Sequence, residues 1–320
     1  MTDVPSDEFA PRPKLLTPQV LQQLCTRSNA QGALRTLSHY GAIIGVGALI
    51  GVIASTHGVL WALPLLPVQG VLIAFLFMAV HETAHKTAFD SRRLNLAIGN
   101  LSGFLIGLPY DYYCLFHWEH HRHTQDPLRD PELIVGPKPR SETQLAIAYS
   151  GLLQVAGRLR LLLKHAVTGK VTVPWVPAGR RATIVREARA YATGYALLLL
   201  GSVALHSALL LWIWVLPLLL GQLILRPYLY AEHTGCDHTR SAFHNTRTTF
   251  TTRIVHWLAW NMPYHVEHHA YPAVPFHALP KLHAIVDGEI KYRGQGYVAV
   301  TRHTWAWFRD QFDGTKFGSK

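Results

Sequence analysis

Residues 40–80 read YGAIIGVGALIGVIASTHGVLWALPLLPVQGVLIAFLFMAV, and none of these 41 residues is Asp, Glu, Lys or Arg. One bilayer crossing takes about 20 apolar residues, so the stretch is long enough for two. Ser55-Thr56-His57-Gly58 is its natural turning point, which predicts spans over 39–56 and 59–80 in a tight hairpin. Residues 191–225 are free of these four residue types over a further 35 positions and predict two short spans meeting near His206-Ser207. Helices buried in a soluble core nearly always keep one polar stripe, and these keep none. A shorter apolar stretch, 94–110, holds Asn95, Asn100 and three glycines. It could span, re-enter, or lie at the interface. The expected fold is all-α and integral to the membrane: about four transmembrane helices in two hairpins, plus this re-entrant or interfacial segment.

Charge gives the orientation. Only 15% of the 320 residues are charged and 49% are apolar, against about 25% charged in soluble domains. Lys and Arg number 30 against 19 Asp and Glu, for a net charge of +11. All the basic residues fall in 1–39, 81–190 and 226–320. If both hairpins point the same way, the positive-inside rule puts both termini and a helical cap on the cytosolic side. Arg158, Arg160 and Lys164, in the apolar segment 145–163, suit an interfacial helix against anionic lipid. The aromatic-basic platform or zinc finger of a nucleic-acid binder is missing, so no such partner is expected. Cys25, Cys114 and Cys236 form no CxxC, which fits a reducing compartment rather than a disulfide scaffold. Residues 1–14 carry Asp3, Asp7, Glu8 and three prolines, a polar tail rather than a secretory signal. An amphipathic segment is expected over 17–37, with Thr17-Pro18 as N-cap and first helical residue. The chain thus divides into 1–38 (tail and amphipathic helix), 39–285 (membrane-bound domain) and 286–320 (cytosolic tail).

Histidine occurs 20 times, and three clusters stand out: His81-Glu-Thr-Ala-His85, His117-Trp-Glu-His120-His121 and His265-Val-Glu-His268-His269. At this frequency HxxxH arises by chance about once in such a chain and HxxHH about once in ten chains, so the two HxxHH boxes are the strong signal. Positions i, i+3 and i+4 share one helix face, and adjacent residues lie about 100° apart around the axis. Neighbours can therefore reach two different metals. Eight imidazoles exceed what one ion can take, so the count implies a binuclear site. Imidazole suits Zn, Cu, Fe and Ni, and does not choose among them.

These boxes resemble the membrane fatty acid desaturase/hydroxylase superfamily, whose hallmark is HxxxH, HxxHH and a second HxxHH on the cytosolic side of a hairpin-built bundle. The resemblance covers about residues 40–285. It implies an O2-dependent oxidoreductase with two iron ions bound by His81, His85, His117, His120, His121, His265, His268 and His269. It adds His233, in Tyr230-Ala-Glu-His233-Thr-Gly-Cys236, as a ninth ligand. Asp126 and Asp130, in the run after the second box, would orient imidazoles or merely cap a helix end. Asn261 and Tyr271-Pro-Ala-Val-Pro275 look like those of members acting on acyl chains. The third box opens with His265 rather than the Gln of front-end desaturases. No cytochrome b5 HPGG motif occurs, so electrons are expected from a separate ferredoxin, rubredoxin or cytochrome b5 type donor.

The reaction expected is desaturation of a fatty acyl or related lipid chain. Hydroxylation or ketolation of a lipid, carotenoid or alkane is the alternative within the superfamily. The apolar substrate would enter from the bilayer, with Tyr110, Tyr112, Tyr113, Trp118 and Trp260 lining its path or anchoring the interface. His81-Glu82-Thr-Ala-His85 is also a literal HExxH, which in an intramembrane zinc protease would make Glu82 the general base. That reading leaves both HxxHH boxes unexplained. A metal transporter would place ligands near the membrane midplane, whereas only His57 and His206 fall inside the hydrophobic stretches, near their outer turns. The other histidines are expected to be non-ligands, with His123 the nearest exception.

Overall fold

Thr17 caps a helix, as its sequence predicts. Its hydroxyl accepts from the Val20 amide at 3.3 Å, and Pro18 takes the first helical position, where a missing N–H costs nothing. The computed structural model describes residues 15–312, so the expected tail 1–14 lies outside the described residues. The segment 17–37 is not one helix. Pro18–Leu24 ends at Cys25, and Ser28 in an extended conformation caps a new 28-residue helix, α1 (Asn29–Thr56). The Ser28 hydroxyl accepts from the Gln31 amide, a local bond that favours restarting over continuing.

The chain turns at His57-Gly58, where Gly58 has φ +97°, a conformation that glycine adopts without a Cβ clash. The second long helix, α2 (Leu65–Ala84), begins later than the expected 59. Pro64 is the reason, since its ring would clash with the carbonyl four residues back. Then come α3 (Arg92–Leu105) and α4 (Tyr110–His123). With 14 residues, α3 is about 21 Å long. That is short of the ~30 Å hydrocarbon core, so this helix alone is not long enough to cross it. The Trp214 indole donates to Leu105 O at 2.6 Å and so satisfies one of the end carbonyls. Further on lie α5 (Leu152–Thr168), α6 (Arg181–Ala204) and α7 (Leu211–His233), the last opening with a π-helical turn.

By length and composition, α1, α2 and α7 are able to cross a membrane. In α6, Arg181, Arg186, Glu187 and Arg189 occupy the first half, and Leu197, Leu199, Leu200 and Val203 in the second half are exposed. The most apolar window of α2 is 72% buried, against 17% for α1 and 28% for α7, so α2 is the central post. It crosses α7 with backbones touching. A Cβ on Gly70 would lie 2.2 Å from Pro217 O, and one on Gly221 would lie 2.0 Å from Gly70 O. Small residues at such crossings are how membrane helices gain close packing without a hydrophobic drive. Polar bonds add to it: Gln69 Nε2 donates to Ile213 O at 3.1 Å, and His39 Nε2 donates to Leu72 O at 2.9 Å. His39 Nδ1 accepts from the Trp260 indole, so this buried histidine is satisfied within the core and is no ligand.

The all-α expectation needs one correction. Arg247–Phe250 (β1) and Tyr292–Gln295 (β2) form a two-stranded parallel sheet with Thr248 opposite Arg293. Parallel pairing needs a long crossover, here supplied by α8 (His265–Ala270) and α9 (Leu279–Val286). After β2, α10 (Tyr297–Arg309) packs on α7, with Tyr297 stacked on Tyr228 at 4.6 Å. Residues 287–309, read from sequence as part of a tail, are therefore built into the fold.

Candidate metal centre

His81 and His85 stand at the C-terminal end of α2. His117, His120 and His121 share one face of α4, while His265, His268 and His269 fill the six-residue α8. His233 ends α7. The fold brings all nine together. Nitrogens of His81, His85, His117, His121 and His268 lie within 4.8 Å of one another, as do those of His120, His233 and His269. His265 adjoins the second group, its Nε2 3.2 Å from His233 Nε2. Adjacent histidines divide as helical splay predicts: His121 and His268 go to the first group, His120 and His269 to the second.

A pair of transition metals fits this donor set. His85 Nε2 and His117 Nε2 are 2.7 Å apart, and His121 Nε2 lies 3.1 Å from His117 Nε2 and 3.2 Å from His268 Nε2. Both ring nitrogens of His81 are buried without a hydrogen-bond partner, as is His269 Nε2. Burial, then the nearby His120, pushes His85 down to about 3. Burial and mutual repulsion likewise hold His117, His121, His265, His268 and His269 well below the ordinary range. These imidazoles stay neutral, with lone pairs converging where no proton satisfies them.

Neighbouring groups fix the tautomers. His120 Nδ1 donates to Asp130 Oδ1 at 2.9 Å. Burial alone would lower its pKa, but the Glu132 and Asp130 carboxylates outweigh burial and hold it at about 9. Asp130 is itself held by the Gln125 amide at 2.8 Å. His233 Nδ1 donates to Asn245 O at 3.2 Å. His269 Nδ1 donates to the Thr124 hydroxyl at 3.3 Å, and that hydroxyl donates to His120 O. In all three rings Nε2 is left for a metal, the usual outer-partner arrangement. Glu267, fully buried, faces away from the cluster, where it accepts from Thr248 at 2.6 Å and from His283, and so ties α8 to β1 and α9.

Of the two aspartates singled out in the sequence, it is Asp130 whose carboxylate bonds a histidine of the two groups. Asp126 instead accepts from the amides of Leu128 and Arg129 and from Arg129 Nε, closing a turn. Asp130→Asn should therefore weaken metal binding about 10- to 100-fold, whereas Asp126→Asn leaves it unchanged. Metal titration of both purified variants checks this, and equal effects would refute the assignment. His123 reaches only Glu119, at 3.4 Å, and is not in either group. Among the expected path aromatics, Tyr113 stacks on His117 at 5.1 Å and Trp118 meets His85 edge-on at 4.9 Å. Tyr110 bonds Thr83 O, Tyr112 packs near His165, and Trp260 is buried against Phe276. Thr124, Gln125, Asn245, Thr248 and His283 were not singled out in the sequence. Only Thr124 and Gln125 carry a local signal, their place directly after the second box.

The sequence profile of the fatty acid desaturase family matches residues 28–301. The chain belongs to this family. Its relatives include zeaxanthin 4-ketolase of Chlamydomonas reinhardtii, 28% identical over 67% of this chain and 42% of the ketolase. Dihydrorhizobitoxine desaturase of Bradyrhizobium elkanii is 26% identical over 69% of this chain and 64% of the relative. Sphingolipid delta(4)-desaturase DES1 of Drosophila melanogaster is 26% identical over 76% and 69%. The chain thus spans less than two thirds of the first two. Desaturase family members are generally di-iron, and this chain carries helices long and apolar enough to cross a membrane together with buried histidine clusters that could hold metal. Membership removes the zinc-protease reading. Glu82, its would-be base, is committed to structure instead, with Oε1 accepting from the Phe276 amide at 3.0 Å.

Proposed function

We propose that the nine histidines bind two iron ions and that the chain desaturates a fatty acyl or related lipid chain, using O2 and electrons from a separate protein. The observation that carries this is the division of His120-His121 and His268-His269 between two ligand groups. When bound, the irons supply the oxidising power that removing hydrogen from an unactivated C–H bond demands. The chain's own part is to hold neutral Nε2 atoms inward, through Asp130, Asn245 and Thr124, and to exclude water by burying the cluster. It also presents one C–H bond beside the cluster, where Tyr113 and Trp118 flank the rings. The first group takes one ion, and the second, with His265, takes the other.

Orientation follows from charge. With α6 as a fourth span, the basic segments and the metal centre share the cytosolic face, and the turns at Gly58 and His206 face the other side. Apolar substrate then enters between helices from the lipid.

Hydroxylation or ketolation is the second reading, supported by the ketolase among the relatives. Expression in a host and mass spectrometry of its lipids separates the two. Loss of two hydrogens from a lipid marks desaturation, and gain of an oxygen marks the alternative. Neither product appearing above a matched His268→Ala control would overturn both.

The two groups should also differ in their response to pH. In the metal-free protein His120 is protonated below about 9, so an ion entering the second group must displace its proton. Affinity there should fall about tenfold for each pH unit below 9. The first group contains no raised histidine, and His85 at about 3 keeps its affinity nearly flat through neutral pH. For the metal-free fold the sign is the reverse: stability from His120 is full below about 6.5 and lost as pH rises through about 9. Cobalt(II) titration across neutral pH, read by absorbance, should resolve one pH-dependent and one flat affinity. Two flat ones would contradict the His120–Asp130 linkage.

A further inference from the structure

Between α5 and α7, away from the histidines, lie polar groups with no partner. The Nε and Nη2 atoms of Arg158 on α5 and Nε of Arg226 on α7 are buried without a hydrogen bond, as are the Tyr230 hydroxyl and Gln154 Oε1. Neither arginine forms an ion pair among the described residues. The helices meet closely beside them: a Cβ on Gly151, just before α5, would lie 2.8 Å from Gln222 Cβ and 3.4 Å from Arg226 Cβ. The Arg226 guanidinium sits 5.8 Å from the Tyr230 ring centre. Burial, then repulsion from Arg226, draws Arg158 down to about 10, which leaves it charged at neutral pH.

Two like charges side by side on partly buried side chains, with three buried guanidinium nitrogens and a hydroxyl unmatched, are a poor arrangement unless an anion completes it. Glu132 and Glu232 are near enough to act on Arg226, but among the described residues no carboxylate forms an ion pair or hydrogen bond with either arginine, and their buried N–H groups stay unmatched. Arg160 and Lys164, the other bases of α5, are exposed, so only Arg158 turns inward. Arg226 is seven residues before His233, about 10 Å along the helix axis. Next to it α5 exposes Leu152, Leu153 and Leu163 at 47%, 57% and 54%. That is a polar socket beside an apolar, lipid-facing strip.

We propose that Arg158 and Arg226 bind the oxyanion head of a membrane amphiphile, a phosphate or a carboxylate, whose chain lies along the exposed leucines of α5. The guanidinium fork suits either group through paired N–H···O bonds, and the Tyr230 hydroxyl adds a donor.

The test uses full-length, metal-loaded protein in neutral detergent, titrated with phosphatidylglycerol, with oleate or with inorganic phosphate. Thermal midpoint and lipid retained in native mass spectrometry are the readouts, so the outcome is independent of turnover. Wild type should gain stability with phosphatidylglycerol, with oleate, or with both, and the amphiphile that acts identifies the head as phosphate or carboxylate. Arg158→Gln and Arg226→Gln should each weaken the response about tenfold or more. Arg160→Gln on the same helix should respond like wild type. Arg158→Lys, which keeps the charge but not the fork, should fall between and serves if the glutamine variants fail to fold. Three results would overturn the proposal: no response to either amphiphile, a response in the Arg158 and Arg226 variants equal to that of wild type, or inorganic phosphate alone reproducing the effect.

Discussion

His269→Ala should lose metal from its site more readily than its neighbour His268→Ala does, and neither variant should turn over. The asymmetry follows from ligand counts. His268 is one of five nitrogens in the first group, so four remain after its removal. His269 is one of three in the second group, with His265 adjoining, so its loss leaves three imidazoles, one fewer than the damaged first group keeps. His121→Ala should behave like His268→Ala, and His120→Ala like His269→Ala. In the first-group variants affinity at the damaged site should drop on the order of 100-fold, at least as much as losing an outer partner costs. Bound iron per chain, read by elemental analysis beside product formation, decides the matter. Full activity in any two of the four variants would show that the clusters do not hold the catalytic metals.

The second large effect lies in the helix crossing rather than at the metals. Gly70→Leu or Gly221→Leu should destabilise the protein by more than about 4 kcal/mol, the exceptional end of single substitutions. The added atoms have nowhere to go: at Gly70 the obstacle is the Pro217 carbonyl, and at Gly221 it is the Gly70 carbonyl, both backbone. Relief requires α2 and α7 to separate, and these two helices carry His81, His85 and His233 at their ends. Metal binding should therefore fall together with thermal stability. Gly45→Leu on α1 is the control, because a Cβ there meets nothing within 4 Å and points outward. If Gly70→Leu melts like wild type in detergent, the backbones are not in contact at this crossing.

Much of the centre was legible because its information is local. Helical splay lets the adjacent His120 and His121 point to different places, and the structure puts them in different histidine groups. Thr17-Pro18 reads as a helix start from two residues, and it is one. What was not legible depends on distant partners. Asp126 and Asp130 each precede a proline within five residues and look alike in sequence, yet only the fold's path puts Asp130 beside His120. RTTF and YRGQ are too short and mixed to announce strands, and they pair across 45 positions of chain. The break at Cys25–Ser28 shows the converse, a local serine cap overriding an apolar pattern that runs through it. Arg158 looked like its exposed neighbours Arg160 and Lys164, since no single-helix pattern tells which of three bases turns toward α7.

The parallel pairing of β1 with β2 imposes an order on the making of this protein. The segment carrying the third box lies between the two strands, and its buried Glu267 is anchored to Thr248 on β1 and to His283 on α9. A nascent chain emerging from the ribosome holds the first two boxes long before Tyr292–Gln295 has been synthesised. On the proposed di-iron reading, such an unfinished polypeptide offers iron an open, incomplete claw, and loading of the pair would await the finished chain.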